Sequence, residues 1–278
     1  MTSFAFSQVD VFTDRPLLGN PLAVVHGADA LDEARMQALA RWTNLSETSF
    51  LLAPTDPGAD YQVRIFTPGG ELPFAGHPTL GSCHAWLERG GVPRVAGEVV
   101  QQCGVGRVRI RREAGRTAFA APPLRRASVD AAQLDRIVSA LGVPREAIHA
   151  TQSLDNGPLW IGFLLDRAET VLALEPDHVA LRTLAKVGVI APRPGDPECG
   201  FEVRAFAASA GVTEDPVTGS LNAGLAEWLI GAGLAPERYI VAQGERVGRR
   251  GRVHVAREDG TVWIGGSSVT CVRGELSL

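Results

Sequence analysis

An α+β fold built from two similar halves is what this sequence predicts. Three observations carry that expectation. Short apolar or alternating segments, the mark of strands, recur from end to end. A loop of small residues and proline runs twice into an apolar, alanine-containing helix: once in Glu71-Leu72-Pro73-Phe74-Ala75-Gly76-His77-Pro78-Thr79-Leu80-Gly81, and again in Thr213-Glu214-Asp215-Pro216-Val217-Thr218-Gly219-Ser220-Leu221. A proline-rich join, Pro122-Pro123 to Ser128, lies between them. Many antiparallel-style strands around a helix in each half argue for α+β layering.

The elements follow in order. Phe4 to Phe12 partly alternates and reads as a strand, Gly19-Asn20-Pro21 as a turn, and Leu22 to Val25 as a short apolar strand. Asp29 is the expected cap of a helix through Trp42, with Asp32 and Glu33 where carboxylates suit the helix dipole. Ser49 to Leu52 and Tyr61 to Phe66 read as strands, Pro78 to Leu87 as a helix stopping near Gly90-Gly91, and Val99 to Ile110 as a strand pair. In the second half, Ala131 to Leu141 is an amphipathic helix, Leu159 to Leu165 a buried strand, and Val179 to Val187 a helix. Phe201 to Phe206 reads as a strand with Glu202 and Arg204 on one face and Val203 and Ala205 on the other. Leu221 to Ile230 is the helix after the second loop, and Val253 to Val255, Val262 to Ile264 and Val269 to Val272 are closing strands. The repeat reads as one of architecture, with residue identities matching poorly between the halves.

Composition narrows the function classes. The 278 residues are 45% hydrophobic and 21% charged, with a net charge of -4, so the chain is globular and has no general affinity for nucleic acid or acidic membranes. Cys83, Cys103, Cys199 and Cys271 form no C-x-x-C pair. The amino terminus lacks a basic region followed by a long apolar run, and charges interrupt every apolar stretch before about 18 residues. A cytoplasmic protein with no membrane span is expected.

Three titratable side chains stand out, each with two readings. His77, between glycine and proline at a helix start, either titrates against a ligand near neutrality or bonds its own loop. Asp215 before Pro216 is either an acid/base group or an N-cap; the nearby Gly219-Ser220 pair lets a ligand approach backbone amides. Glu47, if it lies on a strand, shares a face with Leu45, Ser49 and Leu51, which would desolvate it and raise its pKa. Otherwise it is a loop glutamate in water. The free N–H groups of the two helix starts suit an anion. Arg107, Arg109 and Arg111 alternate with apolar residues as a solvated strand face, and Arg249-Arg250-Gly251-Arg252 reads as a basic loop that could also steer anions. No dinucleotide fingerprint, P-loop, metal-ligand spacing or nucleophile elbow is present.

At these residues the chain resembles the PhzF-like family of phenazine biosynthesis, which shares the diaminopimelate epimerase-like fold. The matching segments are Val9-Asp10-Val11-Phe12-Thr13, Gly19 to Val24, Asn44 to Phe50, Arg64 to Pro68, Glu71 to Gly81, Glu214 to Ser220, Gln243-Gly244, Gly248-Arg249 and Gly265-Gly266. The resemblance implies two lobes, residues 1–125 and 126–278, each a mixed, mostly antiparallel sheet around a central helix. It implies an active site between the lobes, a last strand that returns to the first lobe, a homodimer, and no metal or cofactor. It also implies that Glu47 is the catalytic acid/base, that His77 and Asp215 assist it, and that Gly76, Gly219 and Ser220 cradle the substrate. None of the four cysteines falls at the positions where related racemases carry theirs, so two-thiol racemisation is not expected.

The function expected from these residues is a cofactor-independent isomerase moving a proton on a small cyclic or unsaturated carboxylic acid. Two alternatives stay open. One is an epimerase or racemase of an amino-acid-like substrate using Glu47 and Asp215. The other is a carboxylate-binding protein without turnover.

Overall fold

The structure is a computed structural model that describes residues 2–113 and 115–278. The chain forms two compact units. The first comprises Met1–Ala120 with Gly265–Leu278, and the second Ala121–Ile264.

In the first unit β1 (Ser3–Val11) and β2 (Asn20–Val25) pair antiparallel. Helix α1 (Glu33–Thr43) then crosses over to β3 (Thr48–Leu52), which lies parallel to β2. Next, β4 (Tyr61–Thr67) pairs antiparallel with β3 and with the short β5 (Gly70–Leu72). After helix α2 (Gly76–Glu88), β6 (Glu98–Cys103) returns parallel to β4, and β7 (Gly106–Glu113) and β8 (Arg116–Ala120) continue antiparallel. The carboxy-terminal strand Ser268–Ser277 pairs antiparallel with β1. Helix α2 touches β1, β2, β3, β6, β8 and that last strand, so the sheet wraps around it. Its residues from Gly76 to Cys83 are all buried.

Helix α1 packs on the other face, where Met36 and Leu39 meet Phe4, Val25, Phe50 and Phe66. Asp32 caps it by accepting from the Arg35 amide, and Asn44 ends it in the left-handed region. The expected cap, Asp29, instead lies in a 3-10 turn, and its Oδ1 accepts from the Ala53 amide at 2.9 Å. Between them Leu31 is extended and buried, which breaks the helix from that turn. The Gly19-Asn20-Pro21 turn is also corrected: Asn20 and Pro21 already belong to β2 and pair with Val11 and Asp10.

The second unit runs the same course. β9 (Arg125–Ala127) and helix α3 (Ala131–Leu141) lead into β10 (Ile148–Asp155) and β11 (Leu159–Leu165), an antiparallel pair. Two short helices, α4 (Ala168–Ala173) and α5 (His178–Leu181), cross over to β12 (Val187–Pro192), parallel to β11. Then β13 (Phe201–Ala207) pairs antiparallel with β12 and with the short β14 (Val212–Asp215). After helix α6 (Gly219–Gly231), β15 (Arg238–Gln243) returns parallel to β13, β16 (Gly251–Glu258) pairs with β15, and β17 (Thr261–Gly266) leads the chain back towards its final strand, β18 (Ser268–Ser277). The helix expected over Val179 to Val187 ends at Leu181. The β-branched run Val187-Gly188-Val189-Ile190 favours a strand and fills the place between β11 and β13.

A few side chains take part in the repeat as well. Arg64 and Arg204 occupy the same position on β4 and β13. Each forks onto a glutamate of the following short strand, Arg64 onto Glu71 and Arg204 onto Glu214. Each also lies over the phenylalanine two residues on, 5.1 Å from the Phe66 centroid and 4.9 Å from that of Phe206. From each glutamate the chain reads Glu-x-Pro-x-x-Gly into the helix, so Gly76 corresponds to Gly219, and His77 to Ser220.

Candidate functional site

Glu47 is the residue immediately before β3, not within it, and Leu45 sits in the bend that precedes it. Its expected strand face therefore begins only at Ser49. Desolvation still applies, because its side chain keeps only 16% exposure where it meets His77. Glu47 Oε2 lies 3.5 Å from His77 Nε2. His77 is the second residue of α2, and its side chain is 4% exposed.

Electrostatics decides what this contact is. Burial pushes the His77 pKa down to about 3, against the opposing pull of the Pro21 carbonyl. The imidazole is neutral near pH 7, so the pair is not an ion pair there despite its geometry. At 3.5 Å it is also longer than a formed hydrogen bond. On the ring's other side Asn20 Nδ2 lies 3.4 Å from Nδ1. Asn20 is itself fully buried, and the turn before it is tied down by Gly19 N–H donating to Asp10 Oδ2 at 3.0 Å. A Cβ on Gly19 would stand 2.2 Å from the Val11 carbonyl, so only glycine allows this approach. Gly76 opens α2 after Ala75, which offers no side-chain cap. The first amides of the helix have no acceptor within it.

In the second unit, Asp215 ends β14 and Gly219 opens α6. Asp215 Oδ2 accepts from the Thr218 hydroxyl at 2.5 Å. Gln243, almost fully buried on β15, holds this turn: Oε1 accepts from Thr218 N at 3.1 Å and Asn222 Nδ2 at 2.9 Å, and Nε2 donates to Thr218 Oγ1 at 3.0 Å and the Asp215 carbonyl at 3.1 Å. Ser220 Oγ accepts from the Trp160 indole N–H at 3.3 Å. Thr218, the residue before α6, makes no side-chain cap to the helix.

Glu47, His77 and Gly76 thus meet in one unit, and Asp215, Gly219 and Ser220 gather at one helix start in the other. Each of the two loops carries one titratable candidate beside a proline, His77 in the first and Asp215 in the second, which suggests them as counterparts. The repeat pairs His77 with Ser220 instead, and Asp215 with Leu72. Asn20, Gln101 and Gln243 contribute to the two helix starts without a role expected from the sequence. Gln101 plays a comparable part in the first unit from a different register position: it donates to Thr79 Oγ1 at 3.0 Å and accepts from Tyr61 Oη at 2.9 Å. The available signal was a glutamine inside an apolar strand, which must find partners when buried. The basic run after Gly248 is partly neutralised, since Arg250 and Arg252 both donate to Glu198. Among the described residues, no three His, Cys, Asp or Glu side chains group as a metal site, and no helix is long and apolar enough to cross a membrane.

The profile of the PhzC-PhzF family, described as "Phenazine biosynthesis-like protein", matches residues 9–274. The chain belongs to this family. Among its relatives, "Antisense-enhancing sequence 1" of Schizosaccharomyces pombe is 33% identical, over 99% of each chain. A trans-2,3-dihydro-3-hydroxyanthranilate isomerase of Pseudomonas fluorescens is also 33% identical, over 97% of this chain and 98% of its own. A Bacillus anthracis phenazine biosynthesis protein of the PhzF family superposes with a TM-score of 0.86 over the whole of both chains at 23% identity, a likeness of fold. This protein is a PhzF-like isomerase with the α+β architecture of that fold.

Proposed function

We propose that this isomerase moves a proton on a small cyclic or unsaturated carboxylic acid, using its own side chains for the chemistry. The observation that carries the reading is the contact between a largely buried carboxylate, Glu47, and a neutral buried imidazole, His77. A carboxylate sheltered from water is a stronger base than one in water, and its conjugate acid returns the proton readily. In the proposed step Glu47 takes a proton from a carbon next to the conjugated system. The C–H electron pair moves into that system, and Glu47 then delivers the same proton to another carbon as the double bond shifts. His77 positions the substrate or relays protons beside Glu47 and, being neutral, leaves the basicity of the carboxylate in place. Asp215 assists proton traffic, while the Gly219 and Ser220 amides hold the substrate carboxylate and the developing charge. Donors preorganised in this way contribute about 3 kcal/mol each to lowering a barrier. The relative named as a dihydro-hydroxyanthranilate isomerase supports a substrate of this class, though the natural compound is a separate question.

The test is solvent exchange. A panel of cyclic unsaturated carboxylates in D2O is expected to yield one that gains deuterium at carbon while its double bond migrates. Glu47→Gln should keep the fold and ligand affinity and slow this exchange by ~100-fold or more. Equal exchange by the variant would remove Glu47 from the reaction.

A further inference from the structure

The internal repeat sets one more pair of residues in correspondence, and that pair has opposite charge. Thr48 pairs with Ala23 on one side and with Phe66 on the other. In the second unit Val187 pairs with Ile161 and with Phe206 in the same way. The residue before each is therefore equivalent: Glu47 in one unit, Lys186 in the other. Lys186 is the only lysine in a chain whose Lys+Arg total is 27.

The surroundings of Lys186 also repeat those of Glu47. Glu47 meets the second residue of α2, His77. Lys186 is joined to the second residue of α6, Ser220, through one side chain, Trp160. The Lys186 carbonyl accepts from Ile161 N at 2.9 Å, which fixes the backbone at this station. Its ammonium lies 5.9 Å from the centroid of the Trp160 ring. The indole N–H donates to Ser220 Oγ, which leaves the hydroxyl proton available for an outside acceptor. Asn156 Nδ2 holds the Ser220 carbonyl at 2.8 Å. Among the described residues no carboxylate stands within ion-pair distance of Lys186, and its side chain is only partly exposed. A hydroxyl with a proton to give and a cation with no acidic partner, held beside it by the buried Trp160, together match a carboxylate.

We propose that Lys186 is a substrate-binding residue, whose ammonium joins the Ser220 hydroxyl in receiving the substrate carboxylate. The duplicated station then carries two roles, proton transfer from Glu47 and anion recognition from Lys186. This assignment rests on the isomerase reading above for the identity of its ligand. Lysine suits the task because its compact, strongly hydrated charge rewards a ligand that replaces the lost water.

A single lysine makes the test direct. Reductive methylation with 13C-formaldehyde keeps the charge and labels the Lys186 amine, whose NMR signal is assigned by its disappearance in Lys186→Arg. Benzoate is expected to shift this signal saturably and to raise its apparent pKa, while benzamide does neither. Lys186→Gln should weaken benzoate binding, and raise KM for any turned-over carboxylate, by about tenfold to a hundredfold with a smaller change in kcat. Lys186→Arg should recover most of the loss, and Glu47→Gln should leave benzoate binding intact. A lysine signal indifferent to benzoate, or unchanged affinity in Lys186→Gln, overturns the assignment even where Glu47-dependent exchange is seen. A lysine that responds while no carboxylate ever exchanges protons keeps the anion site and defeats the isomerase reading instead.

Discussion

At the scale of single residues, burial without compensating charge is the theme. His77 is neutral because the cost of desolvating a cation brings its pKa to about 3, from an ordinary 6.5. The stability this contributes is complete above about 6.5 and is lost as pH falls towards 3, because the unfolded chain takes up the proton first. His26, brought to about 4 by burial and then by Arg89, works in the same direction. Glu202 works in the opposite one. Burial raises its carboxyl from 4.5 to about 7, although Arg193 pairs with it and Arg252 lowers it further, with Glu245 adding to the rise. Its contribution is complete below about 4.5 and is lost as pH rises through about 7. The two histidines outweigh Glu202 up to about 6.5, so thermal stability should rise with pH to that point and decline from there to about 7. Glu202→Gln is expected to steepen the rise of stability with pH between about 4.5 and 6.5 and to leave the limb below about 4.5 unchanged. A variant with the parent's slope in that window would mean that the Glu202 proton is not taken up on folding.

At the scale of elements, the two central helices depend on close approach. Gly81, mid-way along α2, faces β1 and β2 so tightly that a Cβ would stand 2.6 Å from Leu22 Cδ2 and 2.8 Å from Val11 Cγ2. A glycine inside a helix ordinarily costs about 1 kcal/mol relative to alanine. Here the larger side chain must instead displace packed neighbours. Gly81→Val is expected to lower unfolding free energy by about 1–3 kcal/mol in a denaturant titration. A neutral or stabilising result would show that the sheet can recede from the helix. The helices with local signals were legible in advance: Asp130 caps α3 and Gly142 ends it in the left-handed region. The segment around β12 was not, because leucine, alanine and lysine before it continue a helical pattern. Only pairing with β11 and β13 decides in favour of a strand. Likewise β13 reads as two-faced from its charges, yet Glu202 and Arg204 are both buried and satisfied in part by Arg193 and Glu214.

At the scale of the molecule, the first unit closes its sheet with a strand remote in sequence. β1 pairs over its whole length with β18, from Ser3 opposite Ser277 to Val11 opposite Ser268. Removing residues 268–278 would expose the N–H and C=O groups along that edge of β1, a template for association. The truncated chain is expected to aggregate on expression or lose amide protection across β1. Retained protection there, measured by hydrogen exchange, would show that β2 alone secures the strand.

What the amino-acid sequence determined by itself was local. It set the strand and helix content, the two Glu-x-Pro-x-x-Gly helix entries, and the identity of Glu47, His77, Asp215, Gly76, Gly219 and Ser220 as candidates, because caps, turns and periodicity act over a few residues. What only the tertiary structure decided was correspondence and environment. It set Glu47 and Lys186 at the same station of the repeat. It also buried the imidazole that makes Glu47's neighbour neutral. Those outcomes depend on strand register and on exclusion of water, which arise only when segments far apart in the chain are brought into contact.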